Sequence, residues 1–133
     1  MCHNSRISSA FSFPAENVPS NGHKLIRKKY RNLTIVITNC PKKIHCIHKN
    51  KFYEANCPKT IVKNENGAGD AFSSIFFGEI YYNSTIQQAL KKAIAAGCLY
   101  IKGINLNQIN DYKKKLDLFS KKINVIKKNN YAK

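Results

Sequence analysis

The stretch Asn64-Glu65-Asn66-Gly67-Ala68-Gly69-Asp70-Ala71-Phe72 divides two kinds of hydrophobic pattern, and so limits the fold more than any other part of the sequence. Before it, apolar residues come in short β-branched runs; after it, they recur every three or four positions. Leu33-Thr34-Ile35-Val36-Ile37-Thr38 has the length and density of a strand buried on both faces. Ile44–His48 and Lys51–Ala55 flank Lys49-Asn50, a pattern that predicts a small hairpin. Thr60–Lys63 predicts one more short extended piece leading into the glycines. Beyond Gly69, the residues Ala71, Phe72, Ile75, Phe76, Glu79 and Ile80 share one face of a helix. A second helix opens at Ser84-Thr85-Ile86-Gln87, which reads as a capping box with Ser84 as cap and Gln87 reaching back. Its stripe is Ile86, Ala89, Leu90, Ala93, Ile94 and Gly97, and Ala95, Ala96 and Gly97 are small enough for another element to approach closely. Tyr112–Phe119 reads as a helix and Ile123–Ile126 as a final strand. These elements predict an α/β class, with helices packed on a partly parallel sheet.

The ends carry less information. Residues 1–22 are rich in Ser, Asn and Pro without periodicity and read as an irregular segment. His23–Tyr30 reads as a short helix capped from Ser20 or Asn21. Residues 23–127 form the expected domain and 128–133 a frayed tail.

The chain has 133 residues, 43% of them hydrophobic, enough for a modest core. No apolar run reaches the length of a membrane span, and Met1–Ser20 lacks the apolar centre of a secretory signal. The expected setting is cytoplasmic, away from membranes. A net charge of +16 raises the question of nucleic acid. However, there are 20 Lys against 3 Arg, and Lys, Asn and Ile fill 52 positions. All three have AT-rich codons, and the lysines are spread along the chain rather than gathered with stacking aromatics. This pattern argues against specific nucleic-acid recognition.

Five cysteines without a C-x-x-C pair fit reduced thiols. In the segment Cys40–His48, Cys46 and His48 would share one strand face, but two further ligands at useful spacing are missing, so no metal site is expected.

A strand, then G-A-G-D, then a helix is an arrangement suited to holding phosphate. Amides at a helix N-terminus point outward with partial positive charge, and glycines let an anion come close. Asp70 then stands beside any phosphoryl group held there. Phosphoryl transfer to a hydroxyl uses such a pairing, in which amides stabilise charge on the equatorial oxygens and a carboxylate takes the hydroxyl proton. Two competing motifs fail. The pattern G-x-x-x-x-G-K-[ST] is absent, and a dinucleotide fingerprint would need a small residue where Phe72 stands. A third reading stays open on spacing alone: a plain glycine turn with Asp70 capping a helix.

The segment Gly67-Ala68-Gly69-Asp70-Ala71-Phe72, after an extended piece and opening a helix, closely resembles the C-terminal signature of the PfkB/ribokinase family of carbohydrate kinases. Ile35-Val36-Ile37-Thr38 resembles the family's upstream strand ending in Thr, and Ala93–Gly97 its small-residue stretch in a downstream helix. The likeness covers about residues 20–104. It implies the C-terminal part of a ribokinase-like fold, with Gly67, Ala68 and Gly69 as anion hole and Asp70 as catalytic base. It further implies nucleotide contacts at Thr38, Asn39, Asn64, Ala93, Ala96 and Gly97, with ATP and Mg²⁺ as cosubstrate and no protein-held metal. Where the family continues T-x-G-x-x-G, this chain has Thr38-Asn39-Cys40-Pro41-Lys42-Lys43. Asn64 and Asn66 stand where the family usually has Asp and Thr, and Asn64 is similar to pseudouridine-kinase-like members.

The implied function is ATP-dependent phosphorylation of a sugar or nucleoside hydroxyl. The half of such kinases that binds the acceptor has no counterpart in residues 1–22, so the chain reads as the ATP-side portion, from a truncated gene model or a decaying gene. The partners on this reading are a nucleotide and, once the other half is supplied, a small-molecule acceptor. The rival readings are a non-catalytic remnant or interaction module, and a basic nucleic-acid binder.

Overall fold

The computed structural model describes residues 10–14, 34–39, 42–49, 51–64, 66–104 and 109–128. Five strands and three helices lie among them: β1 Ala10–Pro14, β2 Thr34–Asn39, β3 Lys43–His48, β4 Lys51–Asn56, α1 Ala68–Tyr81, α2 Ile86–Ile101, α3 Ile109–Ser120 and β5 Val125–Lys128. They divide into two compact units, Met1–Ala55 with Ile126–Lys133, and Asn56–Val125.

The first unit is built on a sheet of order β1-β2-β3-β4-β5. β1 runs parallel to β2, with Ala10 opposite Thr34 and Pro14 opposite Thr38. β2 and β3 are antiparallel, with Ile35 opposite Ile47 and Val36 opposite Cys46. Thr34, Ile35 and Val36 are buried in succession, the pattern of a strand covered on both faces. β3 and β4 form the predicted hairpin, with Lys49 in the left-handed region at φ 46°. β1 corrects the reading of residues 1–22 as wholly irregular, since its backbone gains partners along β2, a contact that no local periodicity announces. Lys128 likewise belongs to β5 rather than to a frayed tail, and its ammonium reaches Glu54 at 3.5 Å. The helix read at His23–Tyr30 lies outside the described residues.

Glu54, on β4, also accepts from Lys43 at 2.7 Å and lies 3.2 Å from His45 Nε2. Cys46 is free and buried, and burial pushes its thiol pKa up. The Nδ1 of His48 meets the Thr34 hydroxyl at 2.7 Å.

In the second unit, α1 buries Phe72, Phe76 and Ile80, and the first two rings stack at 6.0 Å. α2 buries Ile86, Ala89, Leu90, Ala93, Ile94, Ala95, Ala96, Cys98 and Leu99. Ala93 to Ala96 are buried without a break, so this helix is enclosed on nearly all sides. Its cap is Thr85 with Gln88, one residue later than the sequence reading. The reason is that Ser84 donates instead to the carboxylate of Glu79 on α1, which also accepts from Lys92 at 3.0 Å. Burial pushes the Glu79 pKa up, but the Ser84 and Lys92 bonds outweigh it and hold the carboxyl below its ordinary value. α2 ends in a Schellman turn, with Ile104 N bonded to Leu99 O and Gly103 N to Tyr100 O. Gly103 supplies the positive φ of 73°.

Thr60–Lys63 is not a strand. Lys63 N and Asn64 N both donate to Ile101 O, at 2.7 and 3.2 Å, so this piece is tied to the end of α2 and not to a ladder. Cys57 is disulfide-bonded, which corrects the expectation of reduced thiols throughout, while Cys98 is free.

Candidate functional site

The chain reaches α1 through two side-chain and backbone devices. Asn64 Oδ1 accepts from Asn66 N at 3.1 Å, closing an Asx turn. Gly67 then takes φ 94° and ψ −1°, a left-handed N-cap. A β-carbon at this position would lie 2.7 Å from the Tyr100 hydroxyl oxygen, so two separate constraints require glycine here. The first intrahelical bond is Ala71 N to Gly67 O at 3.0 Å. The amides of Ala68, Gly69 and Asp70 precede it and have no intrahelical acceptor. No side chain caps the helix.

Gly69 faces open space, since a β-carbon there would meet nothing within 4 Å. Ala68 sits on α2: its carbonyl would be 3.6 Å from a β-carbon at Gly97. The turn is thus backed by protein on one side and open on the other, as an amide cradle for an anion must be.

Asp70 is the third residue of α1, exposed in its first turn. The reading of Asp70 as a helix cap is thereby corrected, because Gly67 occupies the cap. A carboxylate so close to unpaired amides is favoured by the helix dipole. It lines an open cleft of about 340 Å³ together with Gly67, Ala71, Ser74, Ile75, Tyr100 and Tyr112. Ser74 uses its hydroxyl on Asp70 O at 2.7 Å, and burial pushes the Tyr112 phenol pKa up.

The structure brings Gly67, Ala68, Gly69 and Asp70 into one turn. Asn64 shapes the approach to that turn. Ala93 and Ala96 are fully buried in α2, and Gly97 is packed near Ala68 and Phe72. Thr38 and Asn39 end β2, in the other compact unit. Tyr100, Tyr112, Ser74 and Ile75 are cleft residues that the sequence reading did not single out. Ser74 could have been found, four residues after Asp70 on the same helix face. The two tyrosines come from α2 and α3, and no sequence spacing announces them. Among the described residues, no three His, Cys, Asp or Glu side chains converge on a possible metal position, and no helix is long and apolar enough to cross a membrane.

With a mixed sheet, a glycine turn and helices in this order, the chain is similar in fold to part of several solved ribokinase-like sugar kinases. A candidate phosphofructokinase from Staphylococcus aureus matches with a TM-score of 0.71 at 14% identity, over 90% of this chain and 42% of its own. A candidate sugar kinase from Clostridium perfringens matches with a TM-score of 0.67 at 14% identity, over the same shares. Phosphofructokinase-2 from Escherichia coli matches with a TM-score of 0.64 at 13% identity, over 84% and 41%. The chain thus spans about two-fifths of the length of these proteins. No family profile and no curated protein sequence matches the chain at a significant level.

Proposed function

We infer that the chain carries the phosphoryl-holding portion of an ATP-dependent kinase acting on a sugar or nucleoside hydroxyl. The observation that carries this reading is the turn Gly67–Asp70: three amides without intrahelical partners, open space over Gly69, and a carboxylate in the same helical turn. The likeness in fold to sugar kinases supports it.

In this reading the Ala68, Gly69 and Asp70 amides take up negative charge on the transferred group. The Asp70 carboxylate accepts the proton of the acceptor hydroxyl as its oxygen bonds to phosphorus and the bond to the leaving phosphate breaks. The donor set fits a phosphate well. For a divalent cation the cleft offers one carboxylate, Asp70, so Mg²⁺ would be held chiefly by the nucleotide phosphates and would add charge neutralisation there. A cytoplasmic setting, where ATP is plentiful, belongs to the same reading.

The replacement of two glycines after Thr38 by Cys40 and Lys43 favours a second reading, a non-catalytic relative that keeps the anion turn with weak nucleotide affinity. Calorimetry on the full chain decides the shared premise. ATP or ADP should bind weakly, and Gly69→Val should abolish binding without unfolding the protein, because the new side chain meets only open space. Binding that survives Gly69→Val would mean that the phosphates sit elsewhere.

A further inference from the structure

We propose that the Tyr100 hydroxyl is a fourth donor of the anion turn, hydrogen-bonding a phosphoryl oxygen held by the amides of Ala68, Gly69 and Asp70. This rests on the phosphate-binding reading of that turn. Tyr100 comes from the last turn of α2, and its phenol lies against Gly67, with the hydroxyl oxygen, Cζ and Cε1 at 2.7, 3.0 and 3.1 Å from where a β-carbon would stand. Gly67 is therefore needed both for its backbone conformation and to make room for this ring. The ring is half-buried, and it borders the same cleft as Asp70. Among the described residues no partner satisfies its hydroxyl. A phenol is the neutral donor best suited to a phosphate oxygen in such a place, as it adds a bond without adding a competing charge. The ring fixes the hydroxyl's position and leaves only rotation of its proton to be ordered on binding.

The test separates the donor from the ring. Tyr100→Phe retains the ring against Gly67 and removes the oxygen. Binding of pyrophosphate and ADP to the full chain, measured by calorimetry, should weaken by about tenfold or more, the usual effect of losing a hydrogen bond to a charged group. The melting temperature should stay within a degree or two, and any adenosine binding should be unchanged. Equal pyrophosphate affinity in Tyr100→Phe and wild type, with Gly69→Val abolishing binding, would overturn the donor role while leaving the anion turn in place. Pyrophosphate binding that is indifferent to both substitutions, or absent from the wild type, would overturn the anion turn and the donor role together.

Discussion

Gly97 of α2 stands under the Ala68 carbonyl of α1, so close that a β-carbon at 97 would be 3.6 Å from that oxygen and 4.0 Å from Phe72 Cβ. The first turn of α1, which presents the unpaired amides, therefore rests directly on the small-residue stretch of α2. A single methyl is tolerated at 3.6 Å, an ordinary contact distance. Because glycine inside a helix is less stable than alanine by about 0.5–1 kcal/mol, Gly97→Ala should raise stability slightly in urea unfolding. Gly97→Leu should lower it by about 1–3 kcal/mol, the usual range for overpacking, and should weaken nucleotide binding by displacing Ala68. Unchanged stability in Gly97→Leu would show that the helices are not in contact at this point.

Gly67 bears two penalties at once, and they can be separated. A non-glycine residue at φ 94° costs about 1–3 kcal/mol in backbone strain, and the clash with Tyr100 adds to it. Gly67→Ala should therefore destabilise by at least about 2 kcal/mol. Adding Tyr100→Ala should relieve the clash but leave the strain, giving a coupling energy of about 1 kcal/mol in a double-mutant cycle. Strict additivity would mean that Tyr100 does not bear on the turn.

Glu54 provides a pH test in the sheet unit. The hydrogen bond from Lys43, together with the charges of Lys128 and His45, outweighs the opposing effect of burial and holds its carboxyl below its ordinary value of 4.5. Folding therefore favours the ionised form. This contribution is complete above the unfolded pKa and is lost as pH falls through the lower, folded one. The lysine side chains are about half exposed, at 49% and 52%, so screening limits the gain to about 0.5–1 kcal/mol. Glu54→Gln should cost that much at pH 7, less in 1 M salt, and progressively less as pH falls through the lowered folded pKa. A difference that does not shrink as the pH is lowered would assign the effect to packing.

How far the sequence could be read depended on whether the signal was local. The β2 run, the β3–β4 hairpin and the apolar faces of α1 and α2 follow from periodicities within a few residues, and the structure has them. The glycine turn was legible because an αL glycine, its small neighbours and an acid in the first helical turn fall at consecutive positions, Gly67–Asp70. The cap of α2 slipped by one because Ser84-x-x-Gln87 and Thr85-x-x-Gln88 are equivalent patterns, and only the distant Glu79 carboxylate removes Ser84 from the choice. Thr60–Lys63 looked extended, but at its end the amides of Lys63 and Asn64 are both committed to Ile101 O at the close of α2. Tyr100 was invisible because 33 positions separate it from Gly67, and its place depends on how α2 packs.

Asp70 offers the sharpest test of the kinase reading. It is not the helix cap, so its contribution to stability is limited to its charge near the amides, about 0.3–1 kcal/mol. Asp70→Asn keeps the shape and removes the base. Its effect on catalysis would appear only as the acceptor hydroxyl loses its proton. In a protein that joins this chain to an acceptor-binding half, Asp70→Asn should lower kcat by roughly 10²- to 10⁴-fold while ADP affinity changes little. Asp70→Ala should give the same loss of turnover, because both variants lack the carboxylate. Steady-state turnover with calorimetric ADP binding on the same samples separates the outcomes. Turnover preserved in Asp70→Asn but lost in Asp70→Ala would show a hydrogen-bonding role that an amide can fill. Turnover preserved in both would leave Asp70 as a surface carboxylate at a helix start and end its assignment as the base.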